Sequence, residues 1–355
     1  MEHHGGDLAL EVFMKAIVYT ETGSPSVLTA VDRDITEPAE HEVRVRLIVA
    51  GVNPTDWKSR TGAKPGDKPP FDEVVPGQDG AGIVDAVGSA VENLATGDRV
   101  WLLLAQHERP TGTAQEFTVV PSDRVVRLPD GADFDLGASL GVPAITAHRA
   151  LTVAEDGPSR LHPGALSGKT VLVAGGAGAV GHAAIQLARW AGATVITTVS
   201  GPEKAELASA AGAHHIVNYR SDDAVARIRE LAPEGVHQIV EVAPAQNAEL
   251  DAAVAAPRAS VAIYANNGGD SMSVDIRPSM VGNLRYQFVL LYTVGADALE
   301  AAKEDVSAAV AAGALPVGDS AGLPLHRFPL SSTADAHAAV ESGVTGKVLI
   351  DISTP

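Results

Sequence analysis

The sequence predicts a two-domain α/β protein in which a doubly wound parallel sheet is joined to a smaller β-rich domain. The chain has 355 residues, which exceeds the usual size of one compact domain. From Val142 onward, apolar runs of strand length alternate with amphipathic stretches, as in repeated βα units. Before that point, short apolar runs such as 43–49 lie between glycines and prolines, which favours β-structure.

Six strands are predicted for the parallel sheet. They are VLVA, TVITTV, HHIVNY, VHQIVEVA, SVAIYA and the run 286–294, YQFVLLYTV. We predict helices between them, including one near 246–255, and an alanine-rich helix near 297–312 after the last strand. The chain then returns to short strands and one helix, whereas residues 1–13 are predicted to form a loose extension.

Composition restricts the partners and the chemistry of the chain. The formal net charge of -18 and the pI near 5.0 argue against nucleic acid and anionic membranes as partners. No apolar run reaches membrane-spanning length and no secretory signal is visible, so we expect a cytoplasmic protein. The absence of cysteine excludes disulfides and sulfur-ligated metals. The histidines lack ligand spacing, and no metal site is predicted.

A glycine turn follows the first strand of the parallel sheet directly. Gly176, Gly178 and Gly181 satisfy the pattern G-x-G-x-x-G between VLVA and an amphipathic stretch. In that position glycines allow a sharp turn and a close approach to a pyrophosphate, while the N-terminus of the helix favours the anion. We therefore predict dinucleotide binding. The alternative is a turn that only packs the helix against its strand.

The end of the second strand indicates which dinucleotide is bound. An enzyme that prefers NAD normally has a carboxylate there, but this chain reads Thr197-Thr198-Val199-Ser200. Lys204 follows one helical turn later, and an ammonium with a hydroxyl suits the 2'-phosphate of NADPH. The alternative for Lys204 is a solvated residue that is paired with Glu203 or Glu206.

The motifs of the chain, taken in order, resemble those of zinc-free medium-chain dehydrogenase/reductases of the quinone oxidoreductase, or zeta-crystallin, type. They are MKAIVYTETG, GVNPTDWKSRTG, VPGQDGAGIVDAVG, GDRVW, LGVPAITAHRAL, VLVAGGAGAVG, PEKAELASAAGAHHIVNY and SGVTGKVLI. The resemblance implies a Rossmann cofactor domain over 143–295 and a GroES-like catalytic domain formed by 14–142 and 296–355. It also implies NADPH in the cleft between these domains, and a homodimer joined through the last strand of the cofactor domain.

Zinc-dependent relatives carry a cysteine and a glycine-histidine-glutamate motif in the catalytic domain. This chain has Asn53 at the first place and Gly77-Gln78-Asp79 at the second. Alcohol oxidation loses its usual electrostatic support without a Lewis acid, whereas a quinone or an activated α,β-unsaturated carbonyl delocalises the incoming charge. We therefore expect an NADPH-dependent, zinc-independent reductase of such acceptors. The alternatives are an enoyl-thioester reductase and a noncatalytic, NADPH-binding structural role.

The resemblance also implies the residues of the site. Asn53 is a candidate catalytic residue on this ground. Lys58 is a second candidate because the chain departs from the family here: many relatives have a tyrosine two positions after the aspartate, and this chain has Lys58. Lys58 either polarises an acceptor oxygen or pairs with Asp56. The segment 102–117, which contains His107 and Arg109, is expected to border the substrate. The candidate cofactor contacts are Asn53, Thr146, Gly175, Gly176, Ala177, Gly178, Ala179, Val180, Gly181, Ser200, Lys204, Tyr219, Tyr264 and Asn266.

Overall fold

The computed structural model describes residues 13–354, and its first part is β-rich as predicted. The elements are β1 (Phe13–Val18), β2 (Thr29–Asp34), β3 (Glu42–Val52), α1 (Pro54–Thr61), β4 (Asp79–Val87), β5 (Arg99–Leu102), β6 (Phe117–Pro121) and β7 (Val125–Arg127). Strand β3 pairs antiparallel with both β4 and β6. Most of the predicted extension lies outside the described residues, but Phe13 already belongs to β1 and pairs with Asp34, so the extension was predicted one residue too long.

Helix α2 (Phe134–Leu151) connects the two halves of the molecule. Asp133 caps its N-terminus by accepting the Leu136 N–H at 2.8 Å. The helix contains Pro143, and the N–H of Val142, the residue before this proline, donates to Asp79 Oδ1 at 2.8 Å. The domain boundary predicted at 142/143 therefore falls inside a continuous helix, which packs against β4 on one side and the cofactor-side helices on the other.

The second part is a parallel sheet with helices between its strands. It comprises β8 (Thr170–Ala174), α3 (Ala179–Trp190), β9 (Thr194–Val199), α4 (Pro202–Ala210), β10 (His215–Asn218), α5 (Ala224–Leu231), β11 (Val236–Glu241), α6 (Pro244–Val254), β12 (Ala255–Ile263), α7 (Ile276–Gly282) and β13 (Arg285–Phe288). The strand order is β10-β9-β8-β11-β12-β13, which is a Rossmann arrangement. The predicted fold class is confirmed.

The last strand is shorter than predicted. The run 286–294 was expected to be one strand, but β13 ends at Phe288, which pairs with Ile263, the last residue of β12. Because β12 ends there, the chain beyond Phe288 has no neighbouring strand and forms a short 3-10 turn over Leu291–Thr293. β13 lies at the edge of the sheet.

The C-terminal segment returns to the first sheet. It contains α8 (Ala296–Ala311), β14 (Leu325–Pro329), α9 (Thr333–Glu341) and β15 (Lys347–Asp351). Strand β15 pairs antiparallel with β3, so that Val348 faces Val52. The seven-stranded sheet has the order β14-β15-β3-β4-β5-β7, with β6 paired to β3. None of the helices within residues 13–354 has the length and apolar character needed to cross a bilayer.

Candidate active site

The glycine turn after β8 needs glycine for three different reasons. Gly175 has φ +68°, which is a left-handed conformation. A Cβ on Gly176 would lie 2.1 Å from Thr197 Oγ1 on β9. A Cβ on Gly181 would lie 2.5 Å from the Gly175 carbonyl oxygen, so this glycine lets α3 pack closely on the turn. The predicted turn is therefore present with the packing that its mechanism requires.

Gly178 is a different case, because the protein itself does not require a glycine there. Its backbone is extended, with φ -81°, and a Cβ would meet only the Gly175 carbonyl oxygen at 3.5 Å. It is the N-cap of α3 and offers no side chain to the N–H groups of the first turn, where Ala179 and Val180 begin the helix. Free N–H groups at a helix N-terminus fit the pyrophosphate of a dinucleotide.

Three further candidate cofactor residues lie together at the carboxyl edge of the parallel sheet. Val199 and Asn218 are paired in β9 and β10, so Ser200 and Tyr219, which follow them, leave the sheet side by side. Lys204 lies in the first turn of α4 and is exposed. Within residues 13–354 it forms no ion pair with either neighbouring glutamate. Its ammonium is therefore free to meet an anion.

Asn53 belongs to a buried polar network with Asp79 and Lys347. Asn53 Nδ2 donates to Asp79 Oδ2 at 2.7 Å, and Lys347 Nζ donates to Asn53 Oδ1 at 2.7 Å. Lys347 Nζ also lies 3.5 Å from Asp79 Oδ2. All three side chains are at most 2% exposed. Burial lowers the pKa of Lys347 and raises that of Asp79, and each partner's charge opposes the shift of the other.

The sheet register explains how this network forms. Asn53 directly follows β3, whereas Asp79 and Lys347 are the first residues of the two strands that flank β3. Gly51 faces Asp79 in the register, and a Cβ on Gly51 would lie 2.9 Å from Lys347 Cε. This glycine makes room for the lysine side chain. Sequence reasoning assigned no role to Lys347, although it belongs to the motif SGVTGKVLI.

Asp56 faces the interior and does not pair with Lys58. Its Oδ2 accepts the Asn53 N–H at 2.7 Å and completes a capping box at the start of α1. Burial raises the pKa of Asp56 to about 7. The alternative predicted for Lys58, a pair with Asp56, is therefore wrong. Lys58 is exposed, and its Nζ donates to Asn266 Oδ1 at 3.2 Å.

Replacing Asp56 with asparagine is expected to flatten the pH dependence of stability. The folded-state pKa of Asp56, about 7, exceeds its ordinary value of 3.8. The stability that this raised pKa contributes is therefore fully present below about pH 4 and is lost as pH rises through 7. Asp56→Asn keeps an acceptor for the Asn53 N–H but carries no charge. The free energy of unfolding of the variant, measured relative to that of the wild type, should therefore be at least about 1 kcal/mol higher above pH 7 than at pH 4. Urea unfolding of both proteins from pH 4 to pH 8 measures this, and parallel curves would contradict it.

Tyr292, which was not a candidate from the sequence, forms a hydrogen bond with helix α1. The Tyr292 hydroxyl lies 2.8 Å from Thr55 Oγ1, and its ring centroid lies 4.9 Å from that of His107. Burial raises the pKa of Tyr292, and the negative charge of Asp56 adds to the shift. Tyr292 lies within the run 286–294 that was predicted to be one strand. Because β13 ends at Phe288, Tyr292 instead lies beyond the strand, at the edge of the parallel sheet where ligands bind in such folds.

The segment that carries His107 is held in a strained conformation. Leu104 and Glu108 both have left-handed backbones, with φ +53° and +56°. Such a conformation costs a non-glycine residue about 1–2 kcal/mol. Arg124 Nη1 donates at 2.8 Å to the carbonyl oxygens of both Leu104 and His107. Arg109, which lies next to Glu108, donates from Nη2 to Glu42 Oε1 at 2.6 Å.

The remaining candidates are set deeper in the structure. Thr146 is buried within α2. Tyr264 directly follows β12, and burial together with the nearby Glu241 raises its pKa. The structure thus brings Lys58 and Asn266 together and places Ser200, Lys204 and Tyr219 in a separate group. Within residues 13–354, no three histidine, aspartate or glutamate side chains are clustered so that they could hold a metal ion.

Comparison with known proteins identifies the family. The alcohol dehydrogenase GroES-like domain model matches residues 39–130, and the zinc-binding dehydrogenase model matches residues 179–312. The chain is 31% identical to quinone oxidoreductase from Lama guanicoe over 342 residues, which cover 95% of this chain and 97% of that protein. The chain belongs to the quinone oxidoreductase family. This confirms the predicted family.

Other quinone oxidoreductases match over similar lengths. That of Pseudomonas aeruginosa is 32% identical over 325 residues, which cover 91% of this chain and 94% of the relative. The crystal structure of Escherichia coli quinone oxidoreductase complexed with NADPH superimposes with a TM-score of 0.77 at 26% identity. That superposition covers 95% of this chain and 99% of the other. Family and fold therefore agree over nearly the whole molecule.

Proposed function

We propose that this protein is an NADPH-dependent reductase of quinones or activated α,β-unsaturated carbonyls that works without a metal ion. The observation that carries the proposal is the glycine turn of the quinone oxidoreductase fold. Its uncapped helix N-terminus fits a pyrophosphate, and one of its glycines has no structural purpose within the protein. The Escherichia coli relative that binds NADPH has the same fold. Bound NADPH would supply the hydride.

The residues around the turn would hold NADPH along the carboxyl edge of the sheet. The N–H groups at the start of α3 would bind the pyrophosphate, and Ser200, Lys204 and Tyr219 would bind the 2'-phosphate. Asn53, Thr146, Tyr264 and Asn266 are proposed to border the nicotinamide. Asn53 is held rigidly, because its amide bonds both Asp79 and Lys347. One N–H of this amide is left to donate to a ligand.

Lys58 is proposed to polarise the oxygen of the acceptor. Lys58 is exposed on helix α1, which directly follows Asn53. Its Nζ donates a hydrogen bond to Asn266 Oδ1 at 3.2 Å. A cation at that point stabilises negative charge that develops on the acceptor oxygen.

Metal independence is proposed from the side chains that stand where relatives carry zinc ligands. Asn53 and Asp79 both contact Lys347, whose ammonium already places a positive charge beside the two side chains. Gln78 Nε2 donates to Gln106 Oε1 at 3.1 Å. A divalent cation would have to displace a buried ammonium to reach these groups.

Steady-state oxidation of NADPH, followed at 340 nm, tests the proposal. One ortho-quinone, one para-quinone and one alkenal serve as acceptors, with NADH and a metal chelator as controls. Turnover that is faster with NADPH and insensitive to the chelator is expected, and the ranking of acceptors distinguishes quinones from enones. NADPH binding without reduction of any acceptor would overturn the catalytic proposal and favour a noncatalytic role.

Replacing Lys204 with alanine is expected to weaken NADPH binding about tenfold or more, because a charge-assisted hydrogen bond to phosphate contributes about 1.5–3 kcal/mol. NADH lacks the 2'-phosphate, so its affinity should stay within about twofold. Fluorescence titration of both cofactors measures the two constants. Arg220→Ala removes a neighbouring exposed positive charge and serves as the matched control. An equal loss for both cofactors would contradict this role of Lys204.

The edge of the parallel sheet is proposed to join a second copy of the chain. β13 is an edge strand, and apolar side chains are exposed at its end, just beyond it and on the adjacent helix α7. They are Phe288, Leu290, Ile276, Met280 and Val281, each at least 59% exposed. An open apolar edge favours pairing with another strand, and the family resemblance points to a homodimer.

A charge on this edge is expected to separate the proposed dimer. Leu290→Glu should shift the sedimentation coefficient from that of a dimer to that of a monomer, because the glutamate would be buried unpaired at the interface. Val344→Glu, which changes an exposed valine elsewhere, should leave the dimer intact. A wild-type protein that sediments as a monomer at micromolar concentration would contradict the proposal.

The cytoplasmic location of the protein remains a prediction.

A further inference from the structure

The geometry points to Tyr292 as the group that donates a hydrogen bond to the carbonyl oxygen of the acceptor, with Thr55 as its partner and His107 as a wall of the acceptor site. This inference rests on the proposed reductase function and adds a specific acceptor-binding residue to it. Three observations carry it: the hydroxyl pair, the place of Tyr292 in the fold, and the strained segment that presents His107.

The hydroxyl pair leaves one donor unused. Tyr292 OH and Thr55 Oγ1 lie 2.8 Å apart, so one of the two O–H groups donates to the other oxygen. Two hydroxyls carry two protons, and the second O–H has no partner within the pair. When Thr55 donates, the phenol O–H is free and is polarised by the bond that it accepts. Because burial keeps the phenol protonated, it can donate over the physiological pH range.

The place of Tyr292 joins the two halves of the proposed site. It follows β13 at the carboxyl edge of the parallel sheet, the same edge that carries the glycine turn and Asn266. Its partner Thr55 lies in the first turn of α1, three residues before Lys58. Residues three apart in a helix are neighbours on one face. Thr55 and Lys58 therefore contact Tyr292 and Asn266 from the same face of α1.

The third observation is the strain around His107. Two left-handed residues, Leu104 and Glu108, flank the tilted contact of this ring with Tyr292, and Arg124 fixes the backbone. Backbone strain of this kind persists where the surroundings enforce it, and it concentrates at functional sites. Two partly exposed aromatic rings in contact can pack against a planar acceptor, which favours a quinone ring over an aliphatic enone.

Negative charge develops on the acceptor oxygen during reduction, and the hydrogen bond from Tyr292 strengthens as this charge grows. Tyr292 keeps its own proton, and the product oxygen takes its proton from solvent. Removing a single donor to a developing oxyanion lowers kcat by about 10²–10³-fold in other enzymes. If the Tyr292 hydroxyl only tethered α1 to the sheet, its removal would instead lower the stability and the NADPH affinity of the protein.

The test compares Tyr292→Phe, Thr55→Val and Thr55→Ser in the full chain, with a para-quinone and an alkenal as acceptors. Tyr286→Phe is the matched control, because the Tyr286 hydroxyl is buried without a partner within residues 13–354. For each variant we would measure kcat and KM for the acceptor, the Kd of NADPH and the thermal midpoint. Tyr292→Phe should lower kcat for the quinone about 10²-fold with NADPH affinity unchanged. Thr55→Val should lose no more than about tenfold, and Thr55→Ser should be close to wild type.

The outcomes separate the inference from the function on which it rests. A wild-type protein that reduces no acceptor overturns the proposed function, and this inference with it. If the wild type is active and Tyr292→Phe keeps kcat and KM within twofold, the inference alone is wrong. Equal losses of thermal stability and NADPH affinity in Tyr292→Phe and Thr55→Val, without a selective loss of kcat, would show a tether and also overturn it.

Discussion

Replacing Lys347 with methionine is expected to lower the free energy of unfolding by about 3–5 kcal/mol, because it leaves the carboxylate of Asp79 buried without its countercharge. Methionine has a similar volume, so the loss comes from the charge and not from a cavity. Asp79 would retain the bonds from Asn53 Nδ2 and the Val142 N–H, but neither donor carries a charge. The same change frees Asn53 Oδ1, so activity should fall with stability.

The loss should depend on pH in a defined direction. Without the ammonium, the folded-state pKa of Asp79 rises further above its ordinary value, so stability is lost as pH rises through it. The deficit of Lys347→Met should therefore be smaller at pH 5 than at pH 8. Urea unfolding at both values measures it, with the exposed Lys169→Met as the matched control. A variant within 1 kcal/mol of wild type at pH 8 would contradict the view that this network stabilises the fold.

Replacing Gly178 with alanine is expected to weaken NADPH binding about 10–100-fold while leaving stability unchanged. A methyl group there has room in the protein, since its nearest neighbour would be the Gly175 carbonyl oxygen at 3.5 Å. It would nevertheless stand at the N-cap of α3, where a bound pyrophosphate has to approach the backbone closely. A 10–100-fold change in Kd corresponds to about 1.4–2.8 kcal/mol, which lies within the cost of about 1–3 kcal/mol for a clash of one methyl group.

Gly181→Ala is the matched comparison for this prediction. Its Cβ would lie 2.5 Å from the Gly175 carbonyl oxygen, so the helix has to move and the fold itself should lose about 1–3 kcal/mol. Thermal unfolding and NADPH titration of the two variants separate the roles of the two glycines. If Gly178→Ala binds NADPH as tightly as the wild type, the proposed position of the pyrophosphate is wrong.

The glycine turn and the six strands could be predicted because their signals are local. The turn is a motif of six residues between a strand and a helix, and each strand is one apolar run. Helix α2 was harder to place, because the expected change of pattern at Val142 falls next to Pro143 within the helix. The end of β13 was missed because it is set by the end of its neighbour β12, which the sequence of β13 does not contain.

The polar contacts of the site could not be predicted, because they depend on sheet register. Asn53, Asp79 and Lys347 meet only because β15 and β4 flank β3, and two of them are 294 residues apart in sequence. The inward direction of Asp56, which prevents the pair with Lys58, follows from the capping box at the start of α1. Tyr292 reaches Thr55 over 237 residues, so no local pattern identifies it.

A single-turnover experiment tests the central claim most directly. The protein is loaded with one equivalent of NADPH and mixed, without oxygen, with an excess of para-quinone while absorbance at 340 nm is recorded. We predict that the absorbance is lost rapidly in one phase and that one hydroquinone forms for each NADPH consumed. Bound NADPH whose absorbance persists in the presence of the quinone would contradict the claim that this site reduces quinones.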